Sequence, residues 1–149
     1  MTRTHSPAQT REFGEKLARV LRRGDVIALR GNLGAGKSEL TRGIARGLGI
    51  EGPVPSPTFT ILQVYDEGRI PLYHFDFYRL TSPEELYEMG LEEWIGGDGV
   101  AVIEWPGNIP EALPEEHLEI CLTPEGEDDR LIELHPMGGF RALEEELEA

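Results

Sequence analysis

Apolar residues recur along this chain at two spacings, one helical and one strand-like, and the amino-terminal third shows both. Residues 6–22 carry apolar side chains at helical spacing and predict a first helix. Val26–Leu29 is an uninterrupted apolar run, typical of a buried parallel strand. Helical spacing returns over 37–48, with Gly49 as a stop signal. We therefore predict helix, strand and helix in that order.

The rest of the chain predicts mainly strands. The β-rich runs 58–65 and 70–78 flank the turn residues 66–69, a pattern typical of an antiparallel hairpin. Val100–Ile103 is a second fully apolar run and predicts another buried strand. Alternating apolar residues within 118–134, interrupted by a turn, predict a carboxy-terminal hairpin.

Three other segments have distinct local signals. Prolines at 53, 55 and 57 favour an extended loop over 51–57. Ser82-Pro83-Glu84-Glu85 is a capping-box pattern and predicts a helix that places Leu86, Met89 and Trp94 inward. Residues 141–149 are compatible with either a short acidic helix or a frayed tail.

Length and charge narrow the function classes. At 149 residues we expect a single domain over 1–149, with a core of about 6–135 and an acidic tail at 139–149. The net charge of −14 argues against a protein that coats DNA or RNA, because that needs a cationic surface. Residues 1–50 hold ten basic against four acidic residues, so anionic ligands are expected to approach this part, while the other 99 residues carry a charge of −20.

The expected location is the cytoplasm. Apolar runs are only a few residues long, so no membrane association is expected. The first seven residues lack the apolar region of a secretory signal. Cys121 is the single cysteine and has no partner for an internal disulfide, which fits a reducing compartment.

Gly31–Ser38 matches the pattern G-x-x-x-x-G-K-[ST] and lies between a predicted strand and a predicted helix. Glycines let backbone N–H groups turn toward phosphate oxygens, and the helix dipole adds to the attraction. In such a P-loop Lys37 reaches the β- and γ-phosphates and Ser38 binds Mg²⁺. A ligand-free turn would explain the glycines but not the Lys-Ser pair. We therefore predict a P-loop NTPase-like α/β fold of three layers, in which helices flank a mixed, mainly parallel sheet with antiparallel hairpins.

Two carboxylates follow predicted strands, and phosphoryl transfer needs acidic groups of this kind. Asp76 and Glu104 are expected at the carboxyl ends of their strands, where open α/β sheets bind ligands. Taken alone, Asp76 fits a turn-capping acid and Glu104 a solvated strand end. Together with the P-loop, both are candidates for holding the metal or orienting water, and the sequence does not separate the two roles.

Two further segments carry weaker signals. Ser56–Thr60 lies where many nucleotide hydrolases place a γ-phosphate sensor, but a proline-stiffened entry to a strand explains it equally well. Among the four histidines only His74, two residues before Asp76, is a candidate local organiser. The acidic side chains Glu84, Glu85 and Glu88 are a candidate partner surface.

Several motifs follow one another in an order typical of one family. They are the P-loop, Ser56-Pro57-Thr58-Phe59-Thr60, His74-x-Asp76-x-Tyr78-Arg79, Pro83-Glu84-Glu85-Leu86 with Met89-Gly90, and Glu104-Trp105-Pro106. On this run, over about residues 6–135, the chain resembles the TsaE (YjeE) family. These are small bacterial P-loop ATPases needed to make threonylcarbamoyladenosine at position 37 of tRNA.

The resemblance implies ATP and Mg²⁺ as cofactors and the TsaD and TsaB proteins as partners. Family members dock on that pair and hydrolyse ATP to sustain repeated rounds of modification, without transferring the threonylcarbamoyl group themselves. It further implies that tRNA is reached indirectly, through the complex. We expect the free chain to be a monomer.

The resemblance also implies a set of site residues. The catalytic residues are Lys37, Asp76 and Glu104, and the metal ligands come from Ser38, Asp76 and Glu104. Trp105 is expected to report the nucleotide state. Asn32 and Ser38 stand where Asp and Thr are common in the family, and both changes are conservative. The nucleotide-binding residues are Thr10, Gly31, Asn32, Leu33, Gly34, Ala35, Gly36, Lys37, Ser38, Glu39 and Arg130.

Two other functions compete with an ATPase that drives a tRNA-modifying assembly. One is a nucleotide-dependent adaptor, in which ATP fixes the docking conformation and turnover is incidental. The other is a small-molecule kinase or a GTPase. The chain has no Asn-Lys-x-Asp guanine-reading motif, which favours ATP, and no obvious lid or acceptor domain, which disfavours a kinase.

Overall fold

The computed structural model describes residues 1–32, 34–54, 61–143 and 146–147. Leu33 and the segment 55–60 lie outside these ranges, and with them the predictions for Ser56–Thr60 and for the end of the 51–57 loop. The strands are β1 (Thr2–Thr4), β2 (Val26–Arg30), β3 (Leu62–Tyr65), β4 (Leu72–Asp76), β5 (Val100–Glu104), β6 (His117–Pro124) and β7 (Arg130–Met137). The helices are α1 (Pro7–Ala18), α2 (Lys37–Gly47) and α3 (Pro83–Glu88).

The seven strands form one mixed sheet in the order β1-β7-β6-β2-β5-β4-β3. The central strands β6, β2, β5 and β4 are parallel, so their carboxyl ends meet at one edge, which we call the carboxyl edge. The predicted hairpins are present as the antiparallel pairs β3–β4 and β6–β7. The predicted mixed α/β sheet flanked by helices is therefore confirmed.

Each face of the sheet packs against a hydrophobic cluster. Strand side chains point alternately to the two faces, so a strand can contribute to both clusters. Along β5, Val100 and Val102 pack under α1 and α2, while Ala101 and Ile103 pack on the side of α3. α1 and α2 approach closely at Gly43, where an added Cβ would lie 2.1 Å from the carbonyl oxygen of Arg11. None of the helices in the described ranges is both long and apolar enough to cross a membrane.

The helix predicted from the capping-box pattern is present, but two details of that prediction are wrong. The side chain of Ser82 makes no capping hydrogen bond, and Glu85 instead accepts hydrogen bonds from the backbone and hydroxyl of Thr81. α3 ends after less than two turns, and Gly90, just beyond it, adopts a φ of 67° that other residues rarely take. Of the side chains predicted inward, Leu86 is fully buried, whereas Met89 is 47% exposed. Trp94 is also exposed, with its ring edge against Tyr73.

Both ends of the chain are tied to the domain more firmly than the sequence pattern indicates. β1 adds an antiparallel edge strand beside β7. At the other end, Leu143 and Leu147 are buried in the core under α1. The guanidinium of Arg141 donates two hydrogen bonds to the carboxylate of Asp25, at 2.9 and 2.7 Å. The expected acidic tail therefore contributes apolar side chains and a part-buried ion pair to the fold.

Candidate functional site

A cavity of about 470 Å³ opens at the carboxyl edge, between the start of α2 and the ends of β4 and β5. The parallel arrangement of the central strands places their ends together here, which is where open α/β sheets bind ligands. Most of the side chains that the sequence singles out line this one cavity. Its walls are Gly34, Ala35, Gly36, Lys37, Ser38, Glu39, Asp76, Tyr78, Glu104, Trp105 and Arg130.

The P-loop wraps one end of the cavity because two of its glycines take conformations that other residues rarely adopt. Gly34 and Gly36 have φ values of 82° and 99°. Gly36 is also the N-cap of α2, and no side chain caps this helix. The first-turn N–H groups of α2 therefore lack the side-chain acceptor that usually satisfies them. A helix start of this kind is suited to an anion.

Lys37 lies in the first turn of α2 and is 6% exposed. Its ammonium nitrogen is 4.2 Å from the centre of the Trp105 ring, a distance typical of a cation–π contact. Burial lowers the pKa of Lys37, while the carboxylates of Glu104 and Asp76 act in the opposite direction. The lysine is thus a desolvated cation that faces two acidic groups.

Asp76 and Glu104 are direct neighbours, because they pair in register as the last residues of β4 and β5. Adjacent strands lie about 4.8 Å apart, so the two carboxylates share one side of the sheet at short range. Burial raises the pKa of Asp76, and the charge of Glu104 raises it further. A hydrogen bond from the backbone N–H of Tyr78 at 2.9 Å opposes this shift, as does the charge of Lys37. These two acids therefore face a single buried lysine.

His74 lies beneath these carboxylates and contacts one of them. Its Nε2 is 2.6 Å from the Oε2 of Glu104. The side chains are 1% and 6% exposed, so the pair is screened from solvent. The candidate organiser beside Asp76 therefore bonds to Glu104, on the adjacent strand.

Trp105, the residue after Glu104, holds a strained backbone. Its φ of 57° and ψ of 47° are left-handed, and it is the sole non-glycine residue with positive φ within the described ranges. Such a conformation costs about 1–2 kcal/mol. The ring contacts the ammonium group of Lys37, and its centre is 5.1 Å from the ring centre of Tyr78. Strain that persists at the mouth of a cavity is typical of functional sites.

Arg130 bonds to the backbone of the P-loop. It is the first residue of β7, and its guanidinium donates hydrogen bonds to the carbonyl oxygens of Ala35 at 3.0 Å and Gly34 at 2.9 Å. It also donates to carbonyls of the preceding turn, at Gly126, Glu127 and Asp129. The side chain lines the cavity, and its observed hydrogen bonds all go to main-chain oxygens.

The other predicted nucleotide residues surround the P-loop at different places. Ser38 and Glu39 line the main cavity, and the carboxylate of Glu39 accepts hydrogen bonds from two arginines of α1 and α2. Thr10 lines a small neighbouring cavity of about 40 Å³, and its hydroxyl is 2.7 Å from that of Thr4. Gly31 and Asn32 line a third cavity, of about 200 Å³, on the other side of Lys37 and Trp105. Leu33 lies outside the described residues.

Tyr78 was not among the predicted site residues. It follows Asp76 by two positions, lines the cavity and is 61% exposed. An exposed tyrosine just beyond a strand end is a weak signal in a sequence, and its position becomes meaningful only through its contact with Trp105.

The donor set suits a hard cation that brings its own additional ligands. The carboxylates of Asp76 and Glu104 and the hydroxyl of Ser38 line one cavity, and all three offer oxygen. Within the ranges described, three or more His, Cys, Asp or Glu side chains nowhere form a ready-made metal cluster. Mg²⁺ commonly binds one or two carboxylates together with water and phosphate oxygens, so the residues present fit it.

Comparisons with known proteins agree with one another. Residues 4–132 match the family described as threonylcarbamoyl adenosine biosynthesis protein TsaE. The tRNA threonylcarbamoyladenosine biosynthesis protein TsaE of Bacillus subtilis is 43% identical over 146 residues, covering 97% of this chain and 91% of the relative. The protein of the same name from Treponema pallidum is 44% identical over 119 residues, covering 80% and 87%.

A solved structure is similar over almost the whole chain. The crystal structure of YdiB from Bacillus subtilis superposes with a TM-score of 0.84 at 40% sequence identity, covering 99% of this chain and 92% of that one. Fold, motif order and sequence similarity thus lead to the same assignment. The chain belongs to the TsaE family and is a component of the pathway that makes threonylcarbamoyladenosine in tRNA.

Proposed function

We propose that this chain binds ATP with Mg²⁺ at the carboxyl edge and hydrolyses it. In this proposal hydrolysis supports turnover of the TsaD–TsaB pair, which forms threonylcarbamoyladenosine at position 37 of tRNA. The observation that carries the proposal is the convergence of Lys37, the uncapped start of α2 and two carboxylates on one cavity. This is the set of groups that phosphoryl transfer needs.

The P-loop holds the phosphates. The N–H groups at the start of α2 donate to phosphate oxygens, and Lys37 neutralises the β- and γ-phosphates. For that role the ammonium group moves from the face of Trp105 toward the phosphates. The attraction between the ammonium group and the phosphates is stronger in the buried site than in water. Arg130 keeps the loop in shape through its bonds to Gly34 and Ala35.

The two carboxylates orient the attacking water and bind the cation. Glu104 orients a water molecule by accepting its hydrogen bond, so that the water oxygen attacks the γ-phosphorus in line. That oxygen forms a bond to phosphorus while the bond to the β–γ bridging oxygen breaks. One proton of the water stays on the phosphate and the other passes to solvent, so the products are ADP and inorganic phosphate. Ser38 and Asp76 would hold Mg²⁺ from the protein side, with Glu104 as a further ligand. When bound, the cation neutralises phosphate charge and fixes the phosphate geometry.

The proposal extends to the whole chain and its setting. We propose that residues 1–149 act as one P-loop domain, monomeric when free and cytoplasmic, which contacts tRNA only through its protein partners. The buried positions of Leu143 and Leu147 support a single unit that includes the carboxy-terminal segment.

The test is Mg²⁺-dependent ATP hydrolysis by the purified protein, alone and with TsaD, TsaB and tRNA. We expect slow hydrolysis alone and strong stimulation by the partners, and we expect Lys37→Ala to abolish both. Arg46→Ala is the matched control, because Arg46 also lies on α2 but is exposed and pairs with Glu15, which does not line the cavity. Absence of hydrolysis under every condition would overturn the ATPase assignment.

Glu104→Gln distinguishes the ATPase from a nucleotide-dependent adaptor. If hydrolysis is required, this variant still binds ATP and docks on its partners, but sustained tRNA modification is lost. If modification continues at the parental rate, ATP acts through docking alone and the adaptor function is correct.

A further inference from the structure

The His74–Glu104 contact follows from the register of two parallel strands. His74 is opposite Val102, and Asp76 is opposite Glu104, so the imidazole lies one step deeper on the same face as both carboxylates. From there its Nε2 reaches the Oε2 of Glu104 at 2.6 Å. Both side chains are more than nine-tenths buried.

The second ring nitrogen identifies where the proton lies. Nδ1 of His74 is buried and has no hydrogen-bond partner among the described residues. A buried N–H group without an acceptor loses its hydrogen bonds to water and gains none in return, so a proton at Nδ1 is disfavoured. A proton on Nε2 instead points at a carboxylate oxygen at hydrogen-bonding distance. The contact geometry therefore gives the Nε2–H group of His74 one acceptor, Glu104.

We infer that His74 is a positioning residue, whose Nε2–H holds the carboxylate of Glu104 in the orientation needed to direct water at the γ-phosphate. This inference rests on the proposed ATPase function. A glutamate has three rotatable side-chain bonds, and Glu104 lies between the repulsion of Asp76 and the attraction of Lys37. A hydrogen bond from below fixes one of its oxygens and leaves the other to face the cavity.

Two substitutions separate positioning from packing. His74→Gln retains an N–H donor near the position of Nε2, whereas His74→Leu fills a similar volume without a donor. We expect His74→Leu to lower the partner-stimulated kcat by about 10–100-fold, with KM within about twofold of the parent. His74→Gln should recover most of the loss. An equal loss of kcat in both variants, or no loss in His74→Leu, would overturn the inference.

His117 provides a matched control. It is also a buried histidine beside a glutamate, with Nε2 lying 3.5 Å from Glu119, but it is at the amino end of β6. If a buried histidine matters only for packing, His117→Leu and His74→Leu should affect kcat alike. We expect His117→Leu to leave kcat within about twofold of the parent, because distant sites act independently.

A second readout does not depend on turnover. Long-range ¹H–¹⁵N spectra of the nucleotide-free protein should show His74 as the Nε2–H tautomer, and Glu104→Ala should shift its Nε2 resonance. A proton on Nδ1, or no response to Glu104→Ala, would overturn the inference. If the parent protein fails to hydrolyse ATP, the proposed function fails, and these spectra still decide whether His74 holds Glu104.

Discussion

The two ends of the central strands carry acidic residues in opposite electrostatic settings. At the amino end Asp25, directly before β2, accepts two hydrogen bonds from Arg141 and a third, at 2.8 Å, from the backbone of Arg22. One acid there meets one base. At the carboxyl edge Asp76 and Glu104 lie side by side and share one buried cation, Lys37.

This difference separates a structural pair from a site that is incomplete without a ligand. A charge-balanced, well hydrogen-bonded pair needs no ligand to be stable. Removing one partner leaves the other charge without compensation for its desolvation. The carboxyl edge has two acids that face one buried lysine, an uncapped helix start and a strained Trp105. Such groups are costly in the empty protein and become favourable when a cation and phosphates bind.

The largest effect on stability is expected at the charge-balanced pair of Asp25 and Arg141. Asp25→Asn leaves the Arg141 guanidinium without its counter-charge and should lower the free energy of unfolding by about 2–3 kcal/mol. For a chain of this size the Tm then falls by roughly 4–12 °C. Thermal denaturation measures the loss. Hydrolysis per folded molecule should stay near the parental value, because Asp25 is at the opposite end of the strands.

A double variant tests whether the pair itself is responsible. If Asp25→Asn and Arg141→Met act on one interaction, the combined loss of stability is clearly smaller than the sum of the two single losses. Additive losses would show that the two side chains act separately, and the comparison between the two ends would then fail.

Arg130→Met tests whether the P-loop depends on support from β7. Without the guanidinium, the carbonyl oxygens of Gly34 and Ala35 lose their donors and the loop loses its fixed shape. We expect nucleotide affinity, measured by calorimetry, to fall about tenfold, which corresponds to about 1.4 kcal/mol. Arg3→Met is the control, since Arg3 lies on the neighbouring β1 and pairs with Glu125 at the surface. Equal losses in the two variants would contradict a specific role.

The smallest expected effect is on the thermal stability of the nucleotide-free protein. Burial raises the pKa of Asp76, so the ionised carboxylate destabilises the fold, and that penalty grows as pH rises above its ordinary value of 3.8. Because the group is partly exposed, we expect Asp76→Asn to raise the Tm of the nucleotide-free protein by only about 1–3 °C at neutral pH.

The sign of the pH dependence provides the check. The gain in Tm from Asp76→Asn should be larger at about pH 8, where Asp76 is ionised, than at about pH 4, where the folded state holds its proton. The exposed Asp66→Asn should show little gain at either pH. A lower Tm for Asp76→Asn at both values would mean that this carboxylate stabilises the empty site.

Local sequence signals predicted those parts of the site that depend on neighbouring residues. The P-loop is one contiguous motif, and the turns at Gly34 and Gly36 follow from the conformational freedom of glycine. Asp76 and Glu104 were identifiable because each follows a run of residues that proves to be a buried strand. A strand of three residues such as β1 has too few positions for its alternation to be distinguished from a loop.

The sequence alone determined the α/β class, the glycine-rich phosphate loop and the two acids expected at strand ends, because each rests on contiguous residues. The tertiary structure decided what depends on the strand order β2-β5-β4 and on register. It brings His74 to Glu104, 30 residues away, places Arg130 against the P-loop and buries Leu143 in the core. These contacts join segments that are distant in the sequence. Packing across the whole sheet sets how such segments pair, and the local spacing of residues does not encode that pairing.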